Sequence, residues 1–142
     1  GLSTVTLRYF NVYGPRQPLK GTYAPVIGLF EEQKKARKPC TIVGDGEQRR
    51  DFTHVSDVVE ANMCAMQTNC DGVFNIGTGK NHSVNDIAKL VNNPYNTVQI
   101  PSRPGEARIT LADNTKAKTL LGWEPKKELH EYFENSSKIS WR

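Results

Sequence analysis

Two adjacent arginines, Arg49 and Arg50, follow the glycine turn Gly44-Asp-Gly46 and open the stretch Arg50-Asp51-Phe52-Thr53-His54-Val55, whose residues alternate like those of a half-buried strand. A guanidinium at the start of a strand beside a glycine loop can present a two-pronged fork to a phosphate. A lysine ammonium cannot match that geometry. A further arginine stands in the turn Arg103-Pro-Gly-Glu106, where Pro104 and Gly105 restrict its approach. Arg50 and Arg103 together have the chemistry to clamp a diphosphate. The ordinary alternative is surface pairing of Arg49 and Arg50 with Asp45, Glu47 or Asp51, an arrangement that contributes little to stability.

Other constellations are weaker. Gly77-Thr-Gly79 lies between a strand and a helix, as a dinucleotide fingerprint does, but His82 occupies the place of the third glycine and the loop is too long. It reads as a structural turn. His54, His82 and His130 have no helical partner at ligand spacing, so no metal site is expected. Ser56 and Asp57 beside His54 supply the residue types of a hydrolase triad without a nucleophile-elbow glycine pattern, and Asp57 suits a helix cap better. Cys40, Cys64 and Cys70 are odd in number and lack CxxC spacing, which argues for buried or idle thiols.

The elements that must carry these residues alternate between strand and helix. Thr4–Phe10 is β-branched and aromatic, and it looks like a strand cut from a larger sheet. The stretch 11–23, with Gly14, Pro15, Pro18 and Gly21, reads as a loop. Val26, Ile27, Phe30 and Ala36 have helical spacing, with Lys34, Lys35, Arg37 and Lys38 near the C-terminal end, where they complement the helix dipole. Thr41-Ile42-Val43, the Asp45-Gly46 turn and the stretch after Arg50 predict a hairpin. Asp57 is expected to cap a helix with Val58, Val59, Met63 and Met66 on its buried face. Val73–Ile76 and Thr97–Ile100 read as strands, and Ser83-Val-Asn-Asp86 as a capping box that sends Val84, Ile87, Ala88 and Val91 inward. Residues 101–108 form a loop; Asp113 or Asn114 caps a helix that reaches Leu121 and ends at Gly122. Leu129, Tyr132, Phe133 and Ile139 predict a last amphipathic helix. The alternation implies an α/β or α+β domain.

At 142 residues, 37% hydrophobic and 24% charged, the chain has room for one domain with a modest core. Its N-terminus lacks the pattern of a signal peptide and no apolar run could cross a bilayer, so a soluble, cytoplasmic setting is the expectation, with no membrane partner. The net charge of +4 permits a polyanionic partner, yet the basic residues are dispersed, and a small anion fits as well as a nucleic acid.

Leu7-Arg-Tyr-Phe-Asn-Val-Tyr-Gly-Pro-Arg-Gln17, Gly44-Asp-Gly-Glu-Gln-Arg-Arg-Asp-Phe52, Phe74-Asn-Ile-Gly-Thr-Gly79, Arg103-Pro-Gly-Glu106 and Leu121-Gly-Trp-Glu-Pro125 resemble, in order and spacing, the C-terminal half of the extended short-chain dehydrogenase/reductases of the NAD-dependent epimerase/dehydratase family. The likeness is strongest to the 4-epimerases of UDP-glucose and UDP-N-acetylglucosamine. It implies an α/β fold: the substrate-binding lobe over residues 1–142, with 4–10 and 73–76 as the last strands of a doubly wound, Rossmann-like sheet. It implies a UDP-sugar substrate, a homodimeric full-length protein, and NAD held mainly by an N-terminal half that is missing here. The family's Tyr-x-x-x-Lys pair is also missing, since none of the five tyrosines is followed by lysine at the fourth position, so no catalytic residue is expected and the chain alone should be inactive.

The resemblance further implies roles. Tyr9 and Phe10 would touch the nicotinamide, and Asn11 the sugar-phosphate. The Val26 amide would face phosphate, because Pro25 has no N–H to give. Thr41 and Val43 would border the uracil, Arg50 and Arg103 would clamp the diphosphate, and Glu106, in place of the family's usual Asp, would accept the ribose hydroxyls. Two rivals stay open: another extended family member, such as a 4,6-dehydratase, decarboxylase or heptose epimerase, or a non-catalytic nucleotide- or RNA-binding module. Exposed at its strand edge, such a fragment is also expected to self-associate or to be marginally stable.

Overall fold

A computed structural model describes residues 1–19, 21 and 24–138. Its parallel strand pairs and helices make an α/β architecture. β1 (Val5–Tyr9) pairs in parallel with β6 (Gly72–Ile76), Leu7 lying opposite Phe74. β2 (Val12–Tyr13) pairs in parallel with β5 (Thr53–His54), and β3 (Cys40–Val43) with β8 (Thr97–Ile100). β4 (Arg49–Arg50) is antiparallel to β7 (His82–Ser83). The helices are α1 (Val26–Lys35), α2 (Val55–Gln67), α3 (Val84–Val91) and α4 (Leu129–Lys138), with a π-helical turn over Ala117–Leu121.

Two apolar clusters hold these elements. One joins Ile27 and Phe30 of α1, Cys40 and Ile42 of β3, Phe52, Ile87 and Val91 of α3, and Leu129 and Phe133 of α4. The other packs Val58 and Ala61 of α2 on Phe74 and Ile76 of β6, closed by Leu121 and Trp123. Trp123 is fully buried and donates its indole N–H to the Asp57 carbonyl at 2.9 Å, which satisfies the polar end of a large apolar side chain.

Several local expectations hold for clear reasons. Ser83 accepts the Asp86 N–H and Asp86 accepts the Ser83 N–H, so the capping box starts α3 with two amides satisfied. Gly122 ends the π-helical turn at φ +64°, the left-handed conformation a glycine adopts without steric cost. The Asp113 carboxylate accepts the Thr115 N–H at the start of that segment, which is wider than the α-helix expected. Ile139 lies outside the described residues.

Others are corrected. The hairpin does not form: β3 is taken by β8 and β4 by β7, and the Asp45-Gly46 turn is bound instead to the start of α3, where the Asn85 N–H donates to the Gly46 carbonyl and the Asn85 amide to that of Asp45. Packing of remote segments outweighs a two-residue turn signal. The expected alternation after Arg50 is also absent, because Asp51, Phe52 and Thr53 are all buried: both faces of this stretch are covered. The stretch 11–23 is not wholly a loop, since β2 falls within it. Asp57 is not the cap of α2. His54 is, accepting the Ser56 N–H at Nδ1, while the buried Asp57 carboxylate accepts the Lys127 N–H at 3.0 Å. Of the predicted apolar face of α2 only Val58 is buried, whereas Val59, Met63 and Met66 are exposed. Their spacing correctly put the three on one face, but periodicity cannot say which face is covered. Ala36 ends α1 rather than packing beneath it.

Candidate functional site

The segment Arg49–His54 runs from β4 through the buried Phe52 to β5, and of the expected site residues Arg50 lies on it while Glu106 and Asn11 are bonded to it. Arg50 begins the link between β4 and β5. Its Nη1 donates to the Arg49 carbonyl at 2.9 Å and its Nη2 meets Glu106 Oε1 at 3.2 Å. The Arg50 side chain is 14% exposed and that of Glu106 36%, so the pair lies at the surface rather than in the interior, at the candidate mouth of a binding site. Fifty-six residues separate the two in sequence. Folding brings them together because the segment after Glu106 runs beside β4: the Arg49 N–H donates to the Arg108 carbonyl and the Thr110 N–H to that of Arg49.

Asn11, just past the end of β1, is bonded to both β5 and the stretch that follows Glu106. Its carbonyl accepts the Thr53 N–H, and its Oδ1 accepts the Thr110 hydroxyl at 3.3 Å. Arg103 is exposed on the loop before Glu106, and neighbouring Ser102 passes beside Gly44. On β3, Cys40 and Ile42 face the core, which leaves Thr41 and Val43 on the other face. The Thr41 N–H donates to Gln33 Oε1 at 3.0 Å and the Val43 carbonyl accepts from Gln48. Val26 is the first residue of α1, behind Pro25. Tyr9 donates its hydroxyl to Asn62, and the Phe10 N–H is bound to the Ile76 carbonyl.

The neighbouring charges sort themselves without Arg50. Arg49 is turned away: it donates to the Asn81 side chain and carbonyl and lies 3.6 Å from Asp86. Asp45 takes both prongs of Arg108 at 2.8 and 2.9 Å, which draws its carboxyl down to about 2. Neither Arg49 nor Arg50 therefore pairs with Asp45, Glu47 or Asp51; their acidic partners are Asp86 and Glu106 instead.

Asp51 is the residue that motif reading passed over. Fully buried, its carboxylate accepts the Thr78 N–H and hydroxyl at Oδ1 and the Gly79 and Ala112 N–H groups at Oδ2. The Thr78 and Gly79 amides are thus spent on an internal anion, so this loop does not fit a dinucleotide pyrophosphate. Gly77 also has no room for a side chain, since a Cβ there would collide with that of Ala112. The only hint in the sequence is an acidic residue in the middle of a strand pattern. Among the described residues, no group of three or more His, Cys, Asp or Glu side chains is placed to hold a metal ion, and no helix is long and apolar enough to cross a membrane.

Residues 1–136 match the family model described as GDP-mannose 4,6 dehydratase. A putative UDP-glucose 4-epimerase of Methanocaldococcus jannaschii is 38% identical over 135 residues, which cover 92% of this chain and 43% of that protein. The crystal structure of the Thermotoga maritima UDP-glucose 4-epimerase with UDP-glucose superposes with a TM-score of 0.88 at 43% identity, covering 94% of this chain and 44% of that one. The UDP-glucuronic acid 4-epimerase of Bacillus cereus, in complex with UDP-glucuronic acid and NAD, gives a TM-score of 0.80 at 36% identity over 92% of this chain and 42% of that one. The chain spans less than half the length of each of these relatives. With the family model matched over nearly its whole length and the five motifs in order, the chain belongs to the extended short-chain dehydrogenase/reductases of the NAD-dependent epimerase/dehydratase family.

Proposed function

We propose that this chain is the nucleotide-sugar-binding part of an NAD-dependent UDP-hexose 4-epimerase. The observation that carries the reading is the meeting of Arg50 and Glu106 at one mouth, a cation for the diphosphate beside an acceptor for the ribose hydroxyls. Arg103 reaches the diphosphate from its loop and Asn11 contacts the sugar-phosphate from the end of β1. The Val26 N–H opens α1 toward phosphate. With Gln33 on the Thr41 amide and Gln48 on the Val43 carbonyl, the Thr41 carbonyl and the Val43 N–H are the edge groups that a uracil imide complements.

In 4-epimerisation the keto-sugar must turn so that hydride returns to its opposite face. Nucleotide and diphosphate therefore need a firm grip while the sugar stays loosely held, and remote binding energy orients the reaction. The residues of this chain supply that grip. Bound NAD would accept and return the hydride at the sugar carbon. Tyr9 and Phe10 offer it a packing edge only, since the Tyr9 hydroxyl and the Phe10 amide are already bonded within the chain. β1 and β6 are then the last strands of a larger parallel sheet, and the exposed Tyr9, Val59, Met63 and Met66 are apolar surface for its remaining layers to cover.

Titration with UDP and with an unstructured RNA oligonucleotide at rising salt tests the reading. Saturable UDP binding with a shallow salt dependence is expected. Tighter RNA binding with a steep salt slope would replace this reading with the nucleic-acid one. For the longer protein, interconversion of UDP-glucose and UDP-galactose is the expected activity, and formation of a 4-keto-6-deoxy product would assign it to the dehydratases.

A further inference from the structure

Asp51 has no part in the contacts assigned to the nucleotide sugar, yet it is the most completely bonded carboxylate of the site. Both of its oxygens accept two bonds: Thr78 N–H at 2.8 Å and Thr78 hydroxyl at 2.7 Å on one, Gly79 N–H at 2.9 Å and Ala112 N–H at 3.1 Å on the other. Burying a carboxylate is expensive, and a well-packed apolar residue often serves stability as well or better. What an apolar residue cannot supply is direction. These four bonds tie the link between β4 and β5 to two segments remote in sequence, the loop at Gly77–Gly79 and the strand-like stretch at Ala112.

Those are the segments that matter for the mouth. Arg50 immediately precedes Asp51. The stretch ending at Ala112 starts from Glu106 and passes Thr110, whose hydroxyl donates to Asn11 while accepting the Asp51 N–H at 3.4 Å. The Asp51 carboxylate thus fastens the chain directly after Arg50 to the stretch that follows Glu106, while that stretch is itself held to β4 by the backbone bonds of Arg49 to Arg108 and Thr110. On β4 the backbone bonds to the Arg108–Thr110 stretch are made by Arg49, so the bonds of Asp51 supply the attachment on the other side of Arg50.

We propose that Asp51 is a positioning residue: without touching substrate, it sets the Arg50 guanidinium in register with the Glu106–Thr110 segment so that its fork meets the diphosphate. The inference rests on the UDP-sugar reading given above. It requires that Asp51 act on affinity through Arg50 and on the phosphates rather than on the nucleoside.

The test is titration of UDP and of uridine, followed by NMR, into the wild-type chain, Asp51→Asn, Arg50→Ala and the double variant. Asparagine keeps the shape of Asp51 but turns an NH₂ group against two backbone amides or leaves them without an acceptor. In Asp51→Asn the UDP dissociation constant should rise about tenfold while that for uridine stays unchanged, because misplacement of one oriented group is felt only by the group it contacts. In the Arg50→Ala background the Asp51→Asn loss should vanish. Equal losses for UDP and uridine, or additive losses in the double variant, would reduce Asp51 to a structural residue and overturn the inference while leaving the UDP site intact. Absence of UDP binding by the wild type would overturn both. If Asp51→Asn fails to fold, Thr78→Val carries the same cycle; it removes the hydroxyl donor, keeps the backbone N–H, and should weaken UDP by about threefold.

Discussion

Replacing Arg50 by alanine is the most direct perturbation of the mouth, and its magnitude can be worked from the geometry. The Arg50 guanidinium donates within the chain to the Arg49 carbonyl and to Glu106, which leaves further donors of the fork for an incoming anion. A charge-assisted hydrogen bond contributes roughly 1.5 to 3 kcal/mol, a factor of about ten to a hundred in affinity. Binding must loosen or share the pair with Glu106, and because such a partly exposed pair is worth about 0 to 1 kcal/mol, the deduction is small. Alanine also strips Glu106 of its cation, so an unneutralised carboxylate then faces the diphosphate. The expected loss for Arg50→Ala is therefore at least about tenfold in UDP affinity. Lysine should recover part of it, since it keeps the charge and loses the fork. Arg103→Ala should cost less than Arg50→Ala because its loop is exposed, and the double variant should be non-additive if both contact one diphosphate. Calorimetric titration of UDP into the four variants provides the measurement. Unchanged affinity in Arg50→Ala would return Arg50 to a surface ion-pair role and remove the diphosphate reading.

Hydrogen exchange should divide β1 by parity: the Phe10 N–H and the Thr4 carbonyl face β6, so the Thr6 and Arg8 amides should be protected while those of Leu7 and Tyr9 exchange quickly in the monomer. Slow exchange at Leu7 and Tyr9 that does not depend on concentration would show that this edge is already covered. Ser83→Ala removes one half of the capping box and should lower stability by about 1 kcal/mol in denaturant melts, with UDP affinity unchanged. Arg108→Ala should return the Asp45 carboxyl from about 2 toward 3.8, read by carboxyl NMR titration. Since folding depresses that carboxyl, its contribution is present above the unfolded value and is lost as pH falls through the folded one; an Asp45 titration unmoved in the variant would mean that Arg108 is not its cause.

What the sequence determined by itself was local or motif-borne. The Ser83–Asp86 box and the Gly122 stop depend on a few adjacent residues, and the strands at Val73–Ile76 and Thr97–Ile100 on β-branched composition, so they could be read without knowing what packs on them. The family was legible too, because five motifs in order are a joint pattern that no single turn or helix imitates. Tertiary structure decided what depended on remote partners. Asp45-Gly46 has the chemistry of a hairpin turn, but β8 and β7 compete for the flanking strands and Asn85 holds the turn, so the hairpin is lost. The stripe of Val59, Met63 and Met66 is apolar at helical spacing, and only packing shows that α2 turns Val58 and Ala61 inward instead. At the mouth, the sequence offered Arg50 and Glu106 as separate residues in separate loops; their meeting exists because the chain after Glu106 is bonded along β4. Asp51 shows the limit most clearly: its four donors come from Thr78, Gly79 and Ala112, so beyond an acidic residue inside a strand pattern the sequence does not mark it, and only the fold makes it a buried carboxylate that ties three remote segments together.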